Sequence, residues 1–160
     1  MDPPAEEITR VLQSAATAFG ALPGSGIHFD VGRPERVYSP EGRPAYWLVP
    51  GLHQGQIQAV SRILPDGRVA TIGLLKAPVA DCAAAVTGLS ATRVVGVSRD
   101  LTAQYPADDI SQPMLVHDGP VGREAWLYTV TSAPGTELWI FATAGGTYSR
   151  PAGKPLSSDR

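Results

Sequence analysis

The chain has 160 residues, of which 43% are hydrophobic and 18% charged, with 17 glycines and 15 prolines. This length fits one domain or two small ones, and the hydrophobic fraction excludes a chain that is disordered throughout. Thirteen basic and fifteen acidic residues give a net charge of −2, which provides no general field that attracts nucleic acid or anionic lipid. The single cysteine, Cys82, excludes an intramolecular disulfide, and no Cys/His spacing typical of zinc is present.

The first residues, from Met1 to Glu7, are acidic and lack the basic-then-apolar layout of a secretory signal. The longest uncharged stretch, from Val11 to Phe29, is interrupted by proline and glycine, so it does not predict a membrane span. We therefore expect a soluble, cytoplasmic protein with no membrane partner, or an exported protein if the natural chain begins earlier.

An amphipathic helix is predicted from Pro3 to Phe19. Asp2 is suited to accept backbone N–H bonds as the N-cap, and proline suits the first helical position. Apolar residues recur at the spacing of one helix face: Ile8, Val11, Leu12, Ala15 and Phe19. Gly20 predicts the end of the helix.

Short strands separated by turn signals are predicted to follow. They are Ile27–Val31, Arg36–Tyr38, Ala45–Val49, Gln56–Leu64 and Arg68–Leu74. The last two flank Pro65-Asp66-Gly67, the clearest hairpin signal in the chain. Ile57, Ala59, Ser61 and Ile63 would share one covered face, with more polar residues on the other, a pattern that is typical of an antiparallel sheet.

The second half of the chain shows a similar order of elements. A helix is predicted from Pro78 to about Thr87, on the apolar spacing of Val79, Cys82, Ala83 and Val86. Strands are predicted at Thr92–Ser98, Met114–His117, Ala125–Val130, Glu137–Thr143 and Thr147–Ser149. A loop is predicted at Leu101–Gln112, and a loose tail from Pro151 to Arg160.

The matching order of elements suggests a duplication. At an offset of 79 positions, Val37 falls on Val116, Trp47 on Trp126, Leu48 on Leu127 and Gly67 on Gly146. The predicted fold class is therefore α+β, an amphipathic helix packed on an antiparallel β-meander and repeated as two tandem units. The units would span residues 1–76 and 77–150, followed by a flexible tail at 151–160. One continuous domain over 1–150 stays open as the alternative.

The segment Tyr46-Trp47-Leu48-Val49, followed by Ala59–Ile63 and then by the Pro65-Asp66-Gly67 turn, resembles the PepSY-type pattern. In that pattern an aromatic strand, a second strand, a D-G turn and a third strand follow an amphipathic helix. The resemblance covers Pro3 to about Gly73, and more faintly Val79 to Ser149. It implies a broadly cystatin-like sheet wrapped on a helix, and a binding, chaperone or protease-inhibitory role.

Residues that could carry catalysis or bind a metal are few and do not form a known motif. His28, His53 and His117 stand in no H-x-x-x-H or H-E-x-x-H arrangement, and Asp108-Asp109 is an acidic pair in a predicted loop. Cys82 lies on the apolar stripe of the second predicted helix, where burial would make its thiol inert. We expect these residues to be structural or solvated, and no catalytic set, metal or cofactor is predicted.

Basic and aromatic residues lie close together in the first predicted hairpin region, where Arg33, Arg36 and Arg43 surround Tyr38, Tyr46 and Trp47. Such residues can stack on nucleic-acid bases or bind the carboxylates of a partner. The predicted binding residues are Arg43, Tyr46, Trp47, Trp126 and Trp139. Since the first 80 residues hold equal numbers of basic and acidic residues, no nucleic-acid partner is expected.

The leading hypothesis is a non-enzymatic module that binds a protein or peptide, in an inhibitor, immunity-type or chaperone role. One alternative is a small-molecule-binding protein or enzyme whose helix–sheet pocket uses His28 or His53. Another is a structural oligomerisation domain, such as a homodimer formed through exposed sheet edges.

Overall fold

The computed structural model describes residues 3–22, 26–133 and 135–153. Within these ranges the helices are α1 (Ala5–Gly20), α2 (Cys82–Thr87) and α3 (Ala91–Gln104), with a 3₁₀ turn at Ala107–Asp109. The strands are β1 (Asp30–Val31), β2 (Glu35–Tyr38), β3 (Pro44–His53), β4 (Gln56–Ile63), β5 (Val69–Val79), β6 (Met114–His117), β7 (Glu124–Ala133), β8 (Thr136–Thr143) and β9 (Gly146–Pro151). Asp2, the predicted N-cap, and the tail after residue 153 lie outside the described residues.

None of the helices in the described ranges combines the length and the apolar character that a bilayer crossing requires.

The predicted fold class is wrong. Strands hold 44% of the structure and helices 27%, and the nine strands form one mixed sheet. Their order is β5-β4-β3-β2-β6-β7-β8-β9, with β1 paired to β3. The prediction of two separate antiparallel meanders is wrong because β2 has a neighbouring strand on each side. One neighbour is β3, and the other is β6. Strand β2 bonds in parallel to β6, with Tyr38 opposite Val116.

The chain divides into two compact units that interleave in sequence. Unit 1 comprises Met1–Val37 and Pro44–Ala85, and unit 2 comprises Tyr38–Arg43 and Val86–Arg160. The turn between β2 and β3 therefore belongs to unit 2, although the strands on either side of it lie largely in unit 1.

In unit 1, α1 packs on β3, β4 and β5 through its apolar stripe. Val11, Ala15 and Phe19 are buried against a sheet face formed by Trp47, Val49, Ala59 and Ile63. Gly51 permits this close approach, because a Cβ atom at that position would lie 3.0 Å from the ring of Phe19. The predicted helix is confirmed in its apolar face, and its observed start is Ala5, after Pro4.

Strand β3 continues to His53, beyond the predicted end at Val49. Gln54 and Gly55 both have positive φ, at 54° and 76°, which gives a two-residue turn into β4. The predicted covered face of β4 is confirmed, since Ala59, Ser61 and Ile63 are fully buried.

Strand β5 runs to Val79, so the prediction of a helix starting at Pro78 is wrong. The second helix begins at Cys82, where the carboxylate of Asp81 accepts the N–H of Ala84 at 2.7 Å. Apolar residues at the end of β5 were included in the predicted helix because Val79 fits the same spacing as Cys82.

In unit 2, α3 replaces the strand that was predicted at Thr92–Ser98. Ser90 caps the helix, its side-chain oxygen accepting the N–H of Arg93. Val94, Val97 and Leu101 then recur at helical spacing and pack on a sheet face that includes Tyr128 and Ile140. The prediction failed because the β-branched residues favoured a strand, whereas packing against β7 and β8 stabilises the helix. The loop predicted from Leu101 therefore begins only after Gln104.

The opposite sheet face of unit 2 carries its own apolar cluster. It contains Val116, Ala125, Leu127, Trp139 and Phe141, with Tyr38 and Tyr148 packed against it. The predicted strands at Met114–His117, Ala125–Val130, Glu137–Thr143 and Thr147–Ser149 all lie within observed strands.

Candidate functional site

The predicted binding residues are mostly buried. Tyr46, Trp47 and Trp139 are 2%, 6% and 7% exposed, Trp126 is partly buried, and Arg43 is exposed. Tyr46 and Trp47 are adjacent on β3 and point to opposite sheet faces. Trp126 packs with the cluster under α3, whereas Trp139 belongs to the cluster on the other face. Within each unit, the tryptophans and tyrosine therefore do not form one exposed aromatic platform.

Trp47 belongs to a charged cluster in unit 1. Glu7 on α1 accepts hydrogen bonds from the indole N–H of Trp47 at 2.7 Å and from Arg36 at 2.5 Å. The Arg36 guanidinium lies over the indole, 4.2 Å from the ring centroid. The side chains of Arg36 and Glu7 are only 13% and 16% exposed. This geometry ties α1 to β2 and β3, and it leaves Arg36 engaged inside the protein.

A second charged cluster, the Asp118 cluster, lies in unit 2. Arg150 donates two hydrogen bonds to the Asp118 carboxylate, at 2.7 and 3.1 Å, and the Tyr148 hydroxyl donates a third. The guanidinium also lies over Phe141, 4.4 Å from the ring centroid. Asp118 is fully buried, so its charge is neutralised by a bidentate arginine, as buried carboxylates require.

These contacts shift the pKa values of the cluster. Burial alone raises the pKa of Asp118, but the hydrogen bonds from Arg150 and Tyr148 and the charge of Arg150 outweigh it, so the pKa lies below its usual value. Burial, together with the Asp118 carboxylate, raises the pKa of Tyr148 to about 12. Asp118 therefore stays ionised and Tyr148 stays protonated at neutral pH, which suits a structural cluster more than proton transfer.

Cys82 is buried at the start of α2, as predicted. Desolvation, followed by the charges of Glu35 and Asp81, raises the pKa of its thiol far above the usual value. The pKa of Glu35 is also raised, mainly by burial and then by the charge of Asp81. A thiol in this environment stays protonated and is a poor nucleophile.

His28 and His53 are neighbours in unit 1, whereas His117 lies in unit 2. His28 is 87% exposed in its side chain and is paired with Asp30 at 3.2 Å. The His53 ring donates to the carbonyl of His28 at 3.4 Å, and the His117 ring donates to the carbonyl of Gly119 at 2.8 Å. Across the described parts of the chain, no three His, Cys, Asp or Glu side chains are grouped to hold a metal ion.

An open pocket of about 450 Å³ lies in unit 1 between the end of α1 and residues 26–29. His28 lines it, together with Phe19 and Phe29. Among the described residues of its lining there is one histidine and no carboxylate, and the carboxylate of Asp30, which is paired with His28, lies outside that lining.

A second concave surface in unit 1, the α1–β5 groove, lies between α1 and the start of β5. One wall is formed by α1 from Arg10 to Ala18 and by Ala21 just after the helix, and the other contains Gly67 and Val69. Its volume is about 370 Å³. Arg10 closes one end by donating two hydrogen bonds of 3.1 Å to the carbonyl of Pro65, which fixes the β4–β5 turn against the helix.

Strand β5 forms the rim of this groove and is an edge of the sheet. It pairs with β4, and no other described strand bonds to its outer side. Val69 and Leu74 are 42% and 52% exposed. Leu74 lies opposite Ala59 and Ile72 opposite Ser61, so both share the sheet face on which α1 packs. Exposed apolar side chains beside unpaired backbone groups are suited to contact an added strand.

The far end of β5 is irregular. Leu74 pairs with Ala59, and Val79 pairs with Ile57. Between these two pairs β5 has four residues, whereas β4 has one. This bulge includes Lys76, which is charged, and Pro78, which has no N–H, and both features discourage further strand pairing. The regular outer edge is therefore Val69–Leu74.

Sequence reasoning identified the β4–β5 hairpin and missed its position at the edge. The run of apolar residues in β5 was visible, but edge and central strands cannot be distinguished from one strand's pattern. Lys76 and Pro78 were the only local signals of an edge.

Comparison of the chain with family models, curated proteins and solved structures finds no match.

Proposed function

We propose that this protein is a non-enzymatic binding module that takes an extended peptide segment of a partner protein along β5, in the α1–β5 groove. The observation that carries the proposal is the exposed edge from Val69 to Leu74 beside an open groove. An added strand would satisfy the outward backbone groups of β5, and its alternate side chains would enter the groove.

The predicted binding role is kept in this proposal, but its surface differs from the predicted one. The predicted residues Tyr46, Trp47 and Trp139 are buried, so their rings support the sheet and would act on binding only indirectly. The PepSY-type resemblance stays a prediction, and the inhibitor or chaperone role that it implies would also require a peptide-binding surface.

A display library of eight-residue peptides tests the proposal on the full chain. We expect enriched peptides to protect the outward-facing amides within Val69–Leu74 from hydrogen exchange, because the added strand accepts their hydrogen bonds. Leu74→Lys should abolish binding of the enriched peptides, since it places a charge on the contact face. Val95→Lys is the matched control, because Val95 is similarly exposed, at 57% against 52% for Leu74, but lies on α3.

Failure to enrich any peptide would overturn the proposal. The proposal would also be overturned if the enriched peptides bound Leu74→Lys and the natural protein with equal affinity. Protection only of amides outside Val69–Leu74 would overturn it too. Circular dichroism of both variants would show that they fold, so loss of binding can be assigned to the surface.

A further inference from the structure

The charge of the β4–β5 hairpin differs in sign from the charge of the whole chain. From Gln56 to Val79 there are three basic residues, Arg62, Arg68 and Lys76, and one acidic residue, Asp66, which gives a net charge of +2. The whole chain has a net charge of −2. Arg10 adds a further positive charge to the wall of the α1–β5 groove. Arg10, Arg68 and Lys76 thus lie beside the surface that we propose as the peptide site, whereas Arg62 is on the opposite sheet face, since it alternates along β4 with residues that α1 covers.

Two of these basic residues lie at opposite ends of the regular edge. Arg68 immediately precedes Val69, and Lys76 follows Leu74 by two residues. Asp66 bonds to Arg68 at 2.7 Å, and both side chains are largely exposed, so this pair is open to exchange with an incoming carboxylate. Lys76 is exposed, and within the described ranges no carboxylate is paired with it. The edge is therefore an uncharged segment between two exposed cations.

The middle of the surface is apolar or neutral. Val69 and Leu74 are exposed, and Val69 lines the groove together with Gln13, Thr17 and Ala18 of α1. This arrangement suits side chains of an extended peptide, and it lacks the exposed aromatic rings on which nucleic-acid bases stack.

A second copy of this chain fits the surface less well than an acidic partner. Edge-to-edge pairing of two β5 strands would bring together two hairpins that each have a net charge of +2. Like charges at a contact weaken it and slow association, whereas an acidic segment would be attracted to the same surface.

This inference rests on the proposed function and specifies its ligand. We propose that the α1–β5 groove binds an acidic, extended segment of a partner protein, in which about six uncharged residues pair with Val69–Leu74. Acidic residues on either side of that core contact Arg68 and Lys76. The core supplies backbone hydrogen bonds and apolar contact, and the flanking carboxylates give the preference for this partner over a neutral or basic one.

Three synthetic peptides test the inference by isothermal titration against the full-length protein at low salt. All have the core Thr-Val-Thr-Val-Thr-Val, flanked at both ends by two glutamates, two lysines or two serines. We expect the glutamate peptide to bind about three- to tenfold more tightly than the serine peptide, and the lysine peptide to bind most weakly. The advantage of the glutamate peptide should shrink at 0.5 M NaCl.

Charge variants locate the effect. Lys76→Gln and Arg68→Gln should each reduce the preference for glutamate over serine flanks by about two- to fivefold. Arg99→Gln is the matched control, because it removes one exposed positive charge on α3.

The outcomes separate this inference from the proposed function. If the glutamate, serine and lysine peptides bind equally, the acidic preference is wrong and the peptide-binding role stands. If none of them binds and library selection also fails, both are wrong. Sedimentation that shows a dimer which Leu74→Lys dissociates would assign the edge to a second copy and overturn the inference.

Discussion

The guanidinium of Arg36 lies over the indole of Trp47, 4.2 Å from the ring centroid, while both groups are hydrogen-bonded to the same carboxylate, that of Glu7. Glu7 therefore fixes both partners of a cation–π contact and joins α1 to the sheet of unit 1. Because the ion pair is mostly shielded from solvent, salt screens it less than it would an exposed pair. We expect this cluster to contribute to the stability of unit 1.

Replacing Glu7 with glutamine should destabilise the protein. The variant loses one charged partner for both Arg36 and Trp47, and we expect the free energy of unfolding to fall by about 1.5–3 kcal/mol. Urea denaturation followed by circular dichroism measures this change. Glu6→Gln is the control, because Glu6 is exposed on the same turn of α1. Equal effects of the two substitutions would show that the destabilisation comes only from the loss of one negative charge near the start of α1, and that the contacts of Glu7 contribute nothing to stability.

Two tryptophans provide a matched test of a single hydrogen bond. The indole N–H of Trp47 is bonded to Glu7, whereas the indole nitrogen of Trp126 is buried and has no hydrogen-bond partner. Trp47→Phe removes a bond to a charged group, while Trp126→Phe removes an N–H that is costly to bury. We therefore expect Trp47→Phe to lower the free energy of unfolding by about 1.5–3 kcal/mol more than Trp126→Phe. The opposite order in urea denaturation would contradict the assignment of these contacts.

The Asp118 cluster predicts a specific dependence of stability on pH. Since the folded-state pKa of Asp118 is lowered, its contribution is complete above the unfolded value of about 4 and is lost as the pH falls through the folded pKa. Asp118→Asn leaves Arg150 buried without its charged partner, and we expect a cost of about 3–5 kcal/mol at pH 7. This cost should shrink below about pH 4, as the carboxylate of the natural protein becomes protonated.

Urea denaturation at pH 7, 5 and 3 measures the difference between the natural protein and Asp118→Asn. Asp108→Asn is the control, because it removes the same charge from an exposed position in the 3₁₀ turn. A difference that stays constant over this pH range would mean that ionised Asp118 does not stabilise the fold.

A side chain at Gly88 should destabilise the protein, whereas one at Gly96 should stabilise it. Gly88 has a φ of +76°, and a Cβ atom there would lie 2.5 Å from the Cβ of Ala144. We expect Gly88→Ala to cost about 1–3 kcal/mol, from backbone strain and this clash. Gly96 lies within α3 with open space around it, so Gly96→Ala should stabilise the helix by about 0.5–1 kcal/mol. Thermal unfolding of both variants shows whether each substitution lowers or raises the stability. Destabilisation by Gly96→Ala would contradict the helical assignment of Thr92–Ser98.

Patterns that act over a few residues predicted much of the local structure. The apolar stripe of α1 and the covered face of β4 follow directly from periodicity, because burial in both elements is set by one packed neighbour. The turn at Pro65-Asp66-Gly67 follows from the conformational preferences of its residues.

The errors arise where distant contacts decide the structure. Valines and threonine at the start of α3 favour a strand locally, but Ser90 caps a helix there and the packing of Leu101 on the sheet stabilises it. The parallel pairing of Tyr38 with Val116 joins residues far apart in sequence, and no local pattern indicates it. This pairing turned the two predicted meanders into one mixed sheet.

The candidate site was harder to predict than the fold elements. Aromatic and basic residues close together in sequence suggested an exposed binding patch, but the strand places Tyr46 and Trp47 on opposite faces, and both are buried. Whether β5 lies at an edge depends on the order of all strands, which is a property of the complete topology. The groove depends in turn on the packing of α1 beside that edge.

The separate surroundings of the three tryptophans make them natural optical reporters. Trp47 senses unit 1, whereas Trp126 and Trp139 sense the two opposite layers of unit 2. Versions of the protein that retain a single indole would reveal by fluorescence whether the halves of the chain melt together or in sequence, without any added dye.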